Sequence, residues 1–260
     1  MSLNPWVPPS NVFDEHSPIA VIAHRGASRL ERENTLAAFE RAAQCGADAV
    51  ELDVRITVDG YLVVHHDAHI YLNGENNSSN GGSRAVGEHA LNSLTLSDLP
   101  SYVPRLEDAL DACDGMWVNI EIKNDQREPD FDPSERVARA VAEHLHGRGT
   151  DDRWVISSFR RETVDVMRAV MPTVRTAWLT PGVPDAQIDS VARSLHMAGH
   201  YGVHPWEATL TAASVDTFRR HGLVVNIWTC DDPVRMSQFK EWGVHGVCTN
   251  VPDVAVSTLR

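Results

Sequence analysis

Histidines, carboxylates and basic residues recur at the ends of short apolar runs in this chain. His24-Arg25-Gly26 ends one run, Glu51-x-Asp53 ends another, and Glu121-Ile122-Lys123 ends a third. A fourth run closes on His65-His66-Asp67. Residues two apart on a strand share a face, so Glu51 and Asp53 stand side by side. Two neighbouring buried carboxylates repel each other and are costly to desolvate. A divalent cation relieves both penalties. Oxygen ligands suit one Mg²⁺ or Ca²⁺, with Mn²⁺ also admissible, rather than zinc. Imidazole beside such a centre points to acid–base chemistry, because its ordinary pKa lies near neutrality.

The segment 49–67 reads AVELDVRITVDGYLVVHHD. Asp59-Gly60 is a signal for a two-residue type I′ hairpin loop. That loop pairs Val54 with His65 and Asp53 with His66. Directly paired residues share a face. Glu51, Asp53 and His66 are therefore expected to converge, with His65 pointing away.

Elements that could hold these groups follow from apolar patterning. Val- and Ile-rich runs at 19–23, 49–54, 117–122, 154–157, 175–179, 201–204, 224–228 and 246–249 read as strands buried on both faces. Amphipathic helical patterns lie between most of them. Leu36, Phe39 and Ala43 have helical spacing, with Gly46 placed to end the helix. Ser134 is placed to cap a helix carrying Val137, Val141 and Leu145, with Gly147 ending it. Eight alternating strand–helix units imply a parallel sheet, either barrel or doubly wound. Eight units in 260 residues favour a single (β/α)₈ TIM barrel. In a barrel the strand ends gather at one mouth, which brings His24, Arg25, Glu51, Asp53, Glu121 and Lys123 together.

The interval between the second and third strands is the longest. A hairpin-plus-loop insertion at about 57–104 is expected there, within a barrel domain spanning 18–260 and preceded by a tail at 1–17. The stretch 73–87, NGENNSSNGGSRAVG, is too polar to build a core and reads as a surface loop or active-site lid.

Composition excludes several classes. The net charge of −13 repels nucleic-acid phosphates and anionic membranes. No apolar run approaches the length of a membrane span, and 1–17 has no signal-peptide core. Four scattered cysteines, at 45, 113, 230 and 248, fit reduced thiols. A soluble, cytoplasmic protein acting on a small molecule is expected.

The ordered motifs AHRGAS (23–28), ENTLAAF (33–39), GADAVELDV (46–54), DGYLVVHHD (59–67), NIEIK (119–123), VNIWTCDD (225–232) and GVHGVCTNVPD (243–253) resemble the glycerophosphodiester phosphodiesterase family. The resemblance implies a TIM barrel that hydrolyses glycerophosphodiesters to glycerol 3-phosphate and an alcohol. It places metal-binding carboxylates at Glu51, Asp53 and Glu121, and catalytic histidines at His24 and His66. It places substrate-binding residues at Arg25, Lys123 and Trp228. We take His24 as base and His66 as acid, with Asp67 placed to orient His66. The nucleophile is water or the substrate 2-hydroxyl. A phospholipase-D-like or cyclising activity on lysophospholipids would use the same barrel mouth. A non-catalytic headgroup-binding module would lack one of the paired groups, and here the set is full. Two departures from the family pattern, AHIYLNGENN after His66-Asp67 and Thr249-Asn250 in place of Thr-Asp, remove none of the proposed groups.

Overall fold

The structure is a computed structural model that describes residues 18–72, 86–148 and 153–260. The expected tail at 1–17 and residues 73–85 of the expected loop lie outside the described residues. In chain order the elements are β1 (Ala20–His24), α1 (Leu36–Cys45), β2 (Ala49–Ile56), β3 (Leu62–Val64), β4 (His69–Leu72), β5 (Gly87–Ala90), α2 (Leu106–Ala112) and β6 (Trp117–Ile122). They continue as α3 (Arg136–Arg148), β7 (Trp154–Ser158), α4 (Arg161–Val170), β8 (Arg175–Thr180), α5 (Ile188–Met197), β9 (Gly202–Pro205) and α6 (Ala212–Arg220). Then come β10 (Val224–Ile227), α7 (Pro233–Trp242), β11 (Gly246–Thr249) and α8 (Pro252–Leu259).

Eight parallel strands run β1-β2-β6-β7-β8-β9-β10-β11, and β11 pairs back onto β1. The sheet is thus a closed TIM barrel with helices between its strands. Outward residues of β2 and β6, such as Val50, Leu52, Val54, Val118 and Ile120, pack against Phe39 and Ala42 of α1 and Val141 of α3. Each fully buried side chain of this kind contributes roughly 1.5–3 kcal/mol. Inside the barrel, Ile22, Ala49, Trp117, Val155, Ala177 and Cys248 form an apolar plug near the strand starts. Polar residues occupy the levels above it. The register pairs His24 with Glu51 and Asp53 with Glu121.

Local chemistry explains the connections. The Thr35 hydroxyl accepts from the Ala38 N–H at 3.3 Å and starts α1, while Gly46 at φ +81° ends it. Gly26 also has φ +81°, and a Cβ there would meet Ala38 at about 2.6 Å, so only glycine lets the β1 turn pack on α1.

The hairpin after β2 differs from the sequence expectation by one residue. Val54 pairs with Val64, Arg55 with Val63 and Ile56 with Leu62. The loop is Val58-Asp59-Gly60, closed by Thr57 N to Tyr61 O at 3.0 Å and Gly60 N to Thr57 O at 3.0 Å. Only Gly60 in this loop has positive φ, +91°, so a type I′ turn does not form. The Thr57 hydroxyl bonds the Asp59 carboxylate at 2.6 Å and accepts from Tyr61 N at 2.9 Å, which stabilises the three-residue loop. Asp53 consequently faces His65, whose N–H donates to the Asp53 carbonyl at 3.0 Å. Strand pairing does not deliver His66 to the face of Glu51 and Asp53.

Two smaller differences concern α3. Asp132, not Ser134, caps it, accepting from the Arg136 N–H at 2.9 Å. Gly147 lies inside the helix rather than after it. Beyond the hairpin, β4 and β5 form a two-stranded sheet, and Gly87 belongs to β5 rather than to a loop. This layer has its own apolar cluster of Val63, Ile70, Leu72, Leu91, Leu94, Leu99 and Val103.

His204 of β9 is buried, and that burial pulls its pKa from 6.5 down to about 4. The unfolded chain therefore binds more protons between those values. Stability rises with pH across that window and is lost as pH falls from about 6.5 to about 4. Urea unfolding at pH 4.5 is expected to show about 2–3 kcal/mol less stability than at pH 7.5 from His204 alone. His204→Asn should narrow the difference, and an unchanged difference would count against this assignment.

Candidate active site

The barrel mouth holds a pocket of about 160 Å³ lined by His24, Arg25, Glu51, His66, Glu121 and Lys123 on one side. Asn119, the register partner of Glu51, also lines it, and Phe159, His204, Asn226 and Trp228 sit on or just after strands farther round the barrel. One oxygen from each of Glu51, Asp53 and Glu121 lies within 4.8 Å of the others, and all three residues are buried. At an effective dielectric of about 20, that separation corresponds to about 3–4 kcal/mol of repulsion per pair. Three pairs amount to roughly the whole stability of a domain, so compensation is required.

Part of it comes from cations already present. Lys123 Nζ lies 2.7 Å from Glu121 and 3.5 Å from Asp53. Arg25 Nε is 3.3 Å from Asp53, and its backbone N–H donates to Glu51 at 3.0 Å. Burial opposes ionisation of Asp53, but Lys123 and Arg25 hold it well below the usual carboxylate range. Glu51 is pushed up by burial and then by Asp53 and Glu121. Glu121 is also raised, by burial first, with Lys123 opposing.

Compensation remains incomplete. Glu51 Oε1 is buried without a hydrogen-bond partner, and buried Asp53 Oδ1 has only its 3.5 Å ion pair with Lys123. Clustered carboxylates with oxygens left without hydrogen bonds suit a divalent cation, which takes oxygen ligands from several carboxylates at once. The residues present therefore fit such an ion, with Glu51, Asp53 and Glu121 able to hold it.

The two histidines differ in their partners. His24 Nδ1 lies 2.7 Å from Asn250 Oδ1. Asn250 donates through Nδ2 to Asp231 at 2.8 Å, and its N–H donates to the same carboxylate at 2.8 Å. The amide oxygen therefore faces His24, and His24 Nδ1 must donate. Its Nε2, 3.9 Å from Glu51, is left with a lone pair. Burial and then Arg25 lower the His24 pKa. His66 Nδ1 instead meets the Asp67 carboxylate at 2.6 Å.

Trp228 donates from Nε1 to the His204 carbonyl at 2.7 Å and meets Phe159 edge to face at 5.2 Å. Seven of the eight site residues expected from sequence line this pocket, and Asp53 lies behind them against Arg25 and Lys123. His204 lines the pocket, whereas Trp206 is 43% exposed and outside the lining.

Sequence reasoning missed several groups. Asn34, at φ +55°, donates to Asp53 at 2.8 Å and stands in the ENTLAAF motif. Asn250 and Asp231 set the tautomer of His24. Asn119 turns a buried, unpartnered Oδ1 in a residue that lines the pocket. Asn119 could have been found from its place two residues before Glu121 on one strand face.

The chain is similar to known proteins over most of its length. The model of the glycerophosphoryl diester phosphodiesterase family matches residues 24–254. A glycerophosphodiester phosphodiesterase of Bacillus subtilis (strain 168) is 28% identical over 91% of this chain and 85% of its own length. A solved glycerophosphodiester phosphodiesterase from Thermotoga maritima superposes with a TM-score of 0.72 at 26% identity, covering 93% of this chain and 99% of that one. An Oleispira antarctica phosphodiesterase solved with the product sn-glycerol-3-phosphate shares the fold, with a TM-score of 0.78 at 23% identity, covering 93% and 96%.

A cation bound only by the folded carboxylate trio should stabilise the protein. At a concentration about 100 times its Kd, Mg²⁺ or Ca²⁺ is expected to add about 2.7 kcal/mol. For a chain of this size that raises Tm by roughly 5–10 °C. Asp53→Asn should abolish the shift. Identical melting with and without each of Mg²⁺, Ca²⁺ and Mn²⁺ would argue against a metal centre.

Proposed function

The chain belongs to the glycerophosphoryl diester phosphodiesterase family, and from that premise we propose that it hydrolyses glycerophosphodiesters to glycerol 3-phosphate and an alcohol, using a divalent cation and two histidines. The observation that carries this reading is the meeting, at one barrel mouth, of three clustered buried carboxylates, two of them with an oxygen left without a hydrogen bond, and two histidines held by different partners.

Glu51, Asp53 and Glu121 would hold the cation, which would supply Lewis-acid polarisation of the phosphate and offset charge that develops on it. Lys123 and Arg25 bind further phosphate oxygens and neutralise charge that grows in the transition state. Glu121 and Asp53 keep Lys123 protonated against the effect of burial. His24 presents Nε2 as an acceptor and takes the proton of the nucleophile, since its neutral Asn250 partner adds no formal charge to favour the imidazolium. His66 carries its proton on Nε2 beside the Asp67 carboxylate and delivers it to the departing alkoxide oxygen. Proton exchange with solvent then resets both rings. Trp228 and Phe159 give the substrate carbons an apolar wall and exclude water from one side of the phosphate.

The test is turnover of glycerophosphocholine, glycerophosphoethanolamine and a lysophospholipid, with EDTA and with added Mg²⁺ or Ca²⁺. Activity on the glycerophosphodiesters is expected to vanish on chelation and return with the ion. His24→Ala and His66→Ala should each lower kcat by roughly 100- to 10,000-fold. Near wild-type turnover after thorough chelation, or in either variant, would remove the corresponding role. A cyclic phosphate among the products, lost with a 2-deoxy substrate, would identify the substrate hydroxyl as nucleophile.

A further inference from the structure

Strand pairing ends before His66, so something else must place that ring. Val64 is the last residue of β3, and the His65 N–H makes the next backbone bond, to the Asp53 carbonyl. At His66 the chain is held by a side chain instead. Arg55 Nε and Nη2 both donate to the His66 carbonyl oxygen, at 2.9 and 2.6 Å. The same guanidinium donates from Nη2 to Glu128 at 2.9 Å and from Nη1 to Asp130. Arg55 is fully buried.

We propose that Arg55 is a positioning residue for His66, acting through a two-pronged grip on the His66 carbonyl that Glu128 and Asp130 hold in place. This rests on the reading of His66 as the general acid. A planar guanidinium that chelates one oxygen through two N–H groups fixes direction as well as distance, which a single flexible ammonium does not do. The buried charge needs partners, and two carboxylates from the segment between β6 and α3 supply them. Arg55 therefore orients the backbone of His66 while Asp67 orients its ring. Glu128 also lines an open groove of about 490 Å³ that shares Glu121, Lys123 and Phe159 with the catalytic pocket. The grip thus joins the wall of that groove to the acid.

The test uses two substrates with the same glycerol phosphate half. Glycerophosphocholine has a strongly basic leaving alkoxide that needs a proton. The 4-nitrophenyl ester of glycerol 3-phosphate has a weakly basic leaving group that does not. Arg55→Lys retains the charge that Glu128 and Asp130 require but loses the chelate. It is expected to lower kcat for glycerophosphocholine by on the order of 100-fold, with KM little changed, because misplacement of about 1 Å has effects of that size. Turnover of the nitrophenyl ester should stay within about threefold of wild type, as should His66→Ala on that ester. Equal losses on both substrates, or none, would overturn the proposal. If Arg55→Lys does not fold, Glu128→Gln is measured in its place. The same leaving-group contrast in smaller degree supports the grip, and its absence overturns it. His66→Ala separates the two layers. Contrast in His66→Ala without contrast in the Arg55 or Glu128 variant removes the grip alone. No contrast in His66→Ala removes the acid assignment, and the grip falls with it.

Discussion

Mutual repulsion among Glu51, Asp53 and Glu121 is the constraint around which the rest of the mouth is arranged. Neighbouring strands β2 and β6 carry them at adjacent and facing positions, so the backbone allows no escape by separation. Lys123, Arg25 and Asn34 each answer part of that charge. The remaining orphaned oxygens are what suit the site to a cation. A buried carboxylate trio of this kind is poor as a stability device and is understandable as a binding device.

The two histidines are held by chemically different neighbours. An amide held by a carboxylate meets His24, whereas a carboxylate meets His66 directly. Both arrangements fix the ring through Nδ1 and leave Nε2 for the substrate. Only the second places a formal negative charge against the ring.

Barrel closure is what makes these arrangements available. β11 returns to β1, so Asn250 after the last strand reaches His24 at the end of the first. Sequence separation of that order costs entropy during folding, and the parallel sheet with its helical cover supplies the burial that offsets it. The apolar plug beneath the polar levels keeps the barrel filled while its upper part stays functional.

Much of this was legible in the residues themselves. Strand runs, the helix end at Gly46, and the clustering of His24, Glu51, Asp53 and Glu121 at strand ends all follow from local patterning, because period and cap chemistry are local properties. The hairpin register did not follow. Asp59-Gly60 is compatible with loops of two or three residues, and the Thr57 hydroxyl, bonded to Asp59 and Tyr61, decided between them. A shift of one residue reverses every pairing. His66 reaches the pocket despite that shift, beside a backbone that Arg55 grips with the help of two carboxylates more than 70 residues away. The partners of Asp53 and His24 were hidden for the same reason. Asn34 and Asn250 carry no local signal for the contacts they make, and their roles exist only once the barrel has brought distant strand ends together. Residue types and their local patterning specified which groups could do the chemistry and which end of the fold would hold them. Tertiary structure alone decided which neighbours orient each group, since those contacts are made across the barrel and between distant loops.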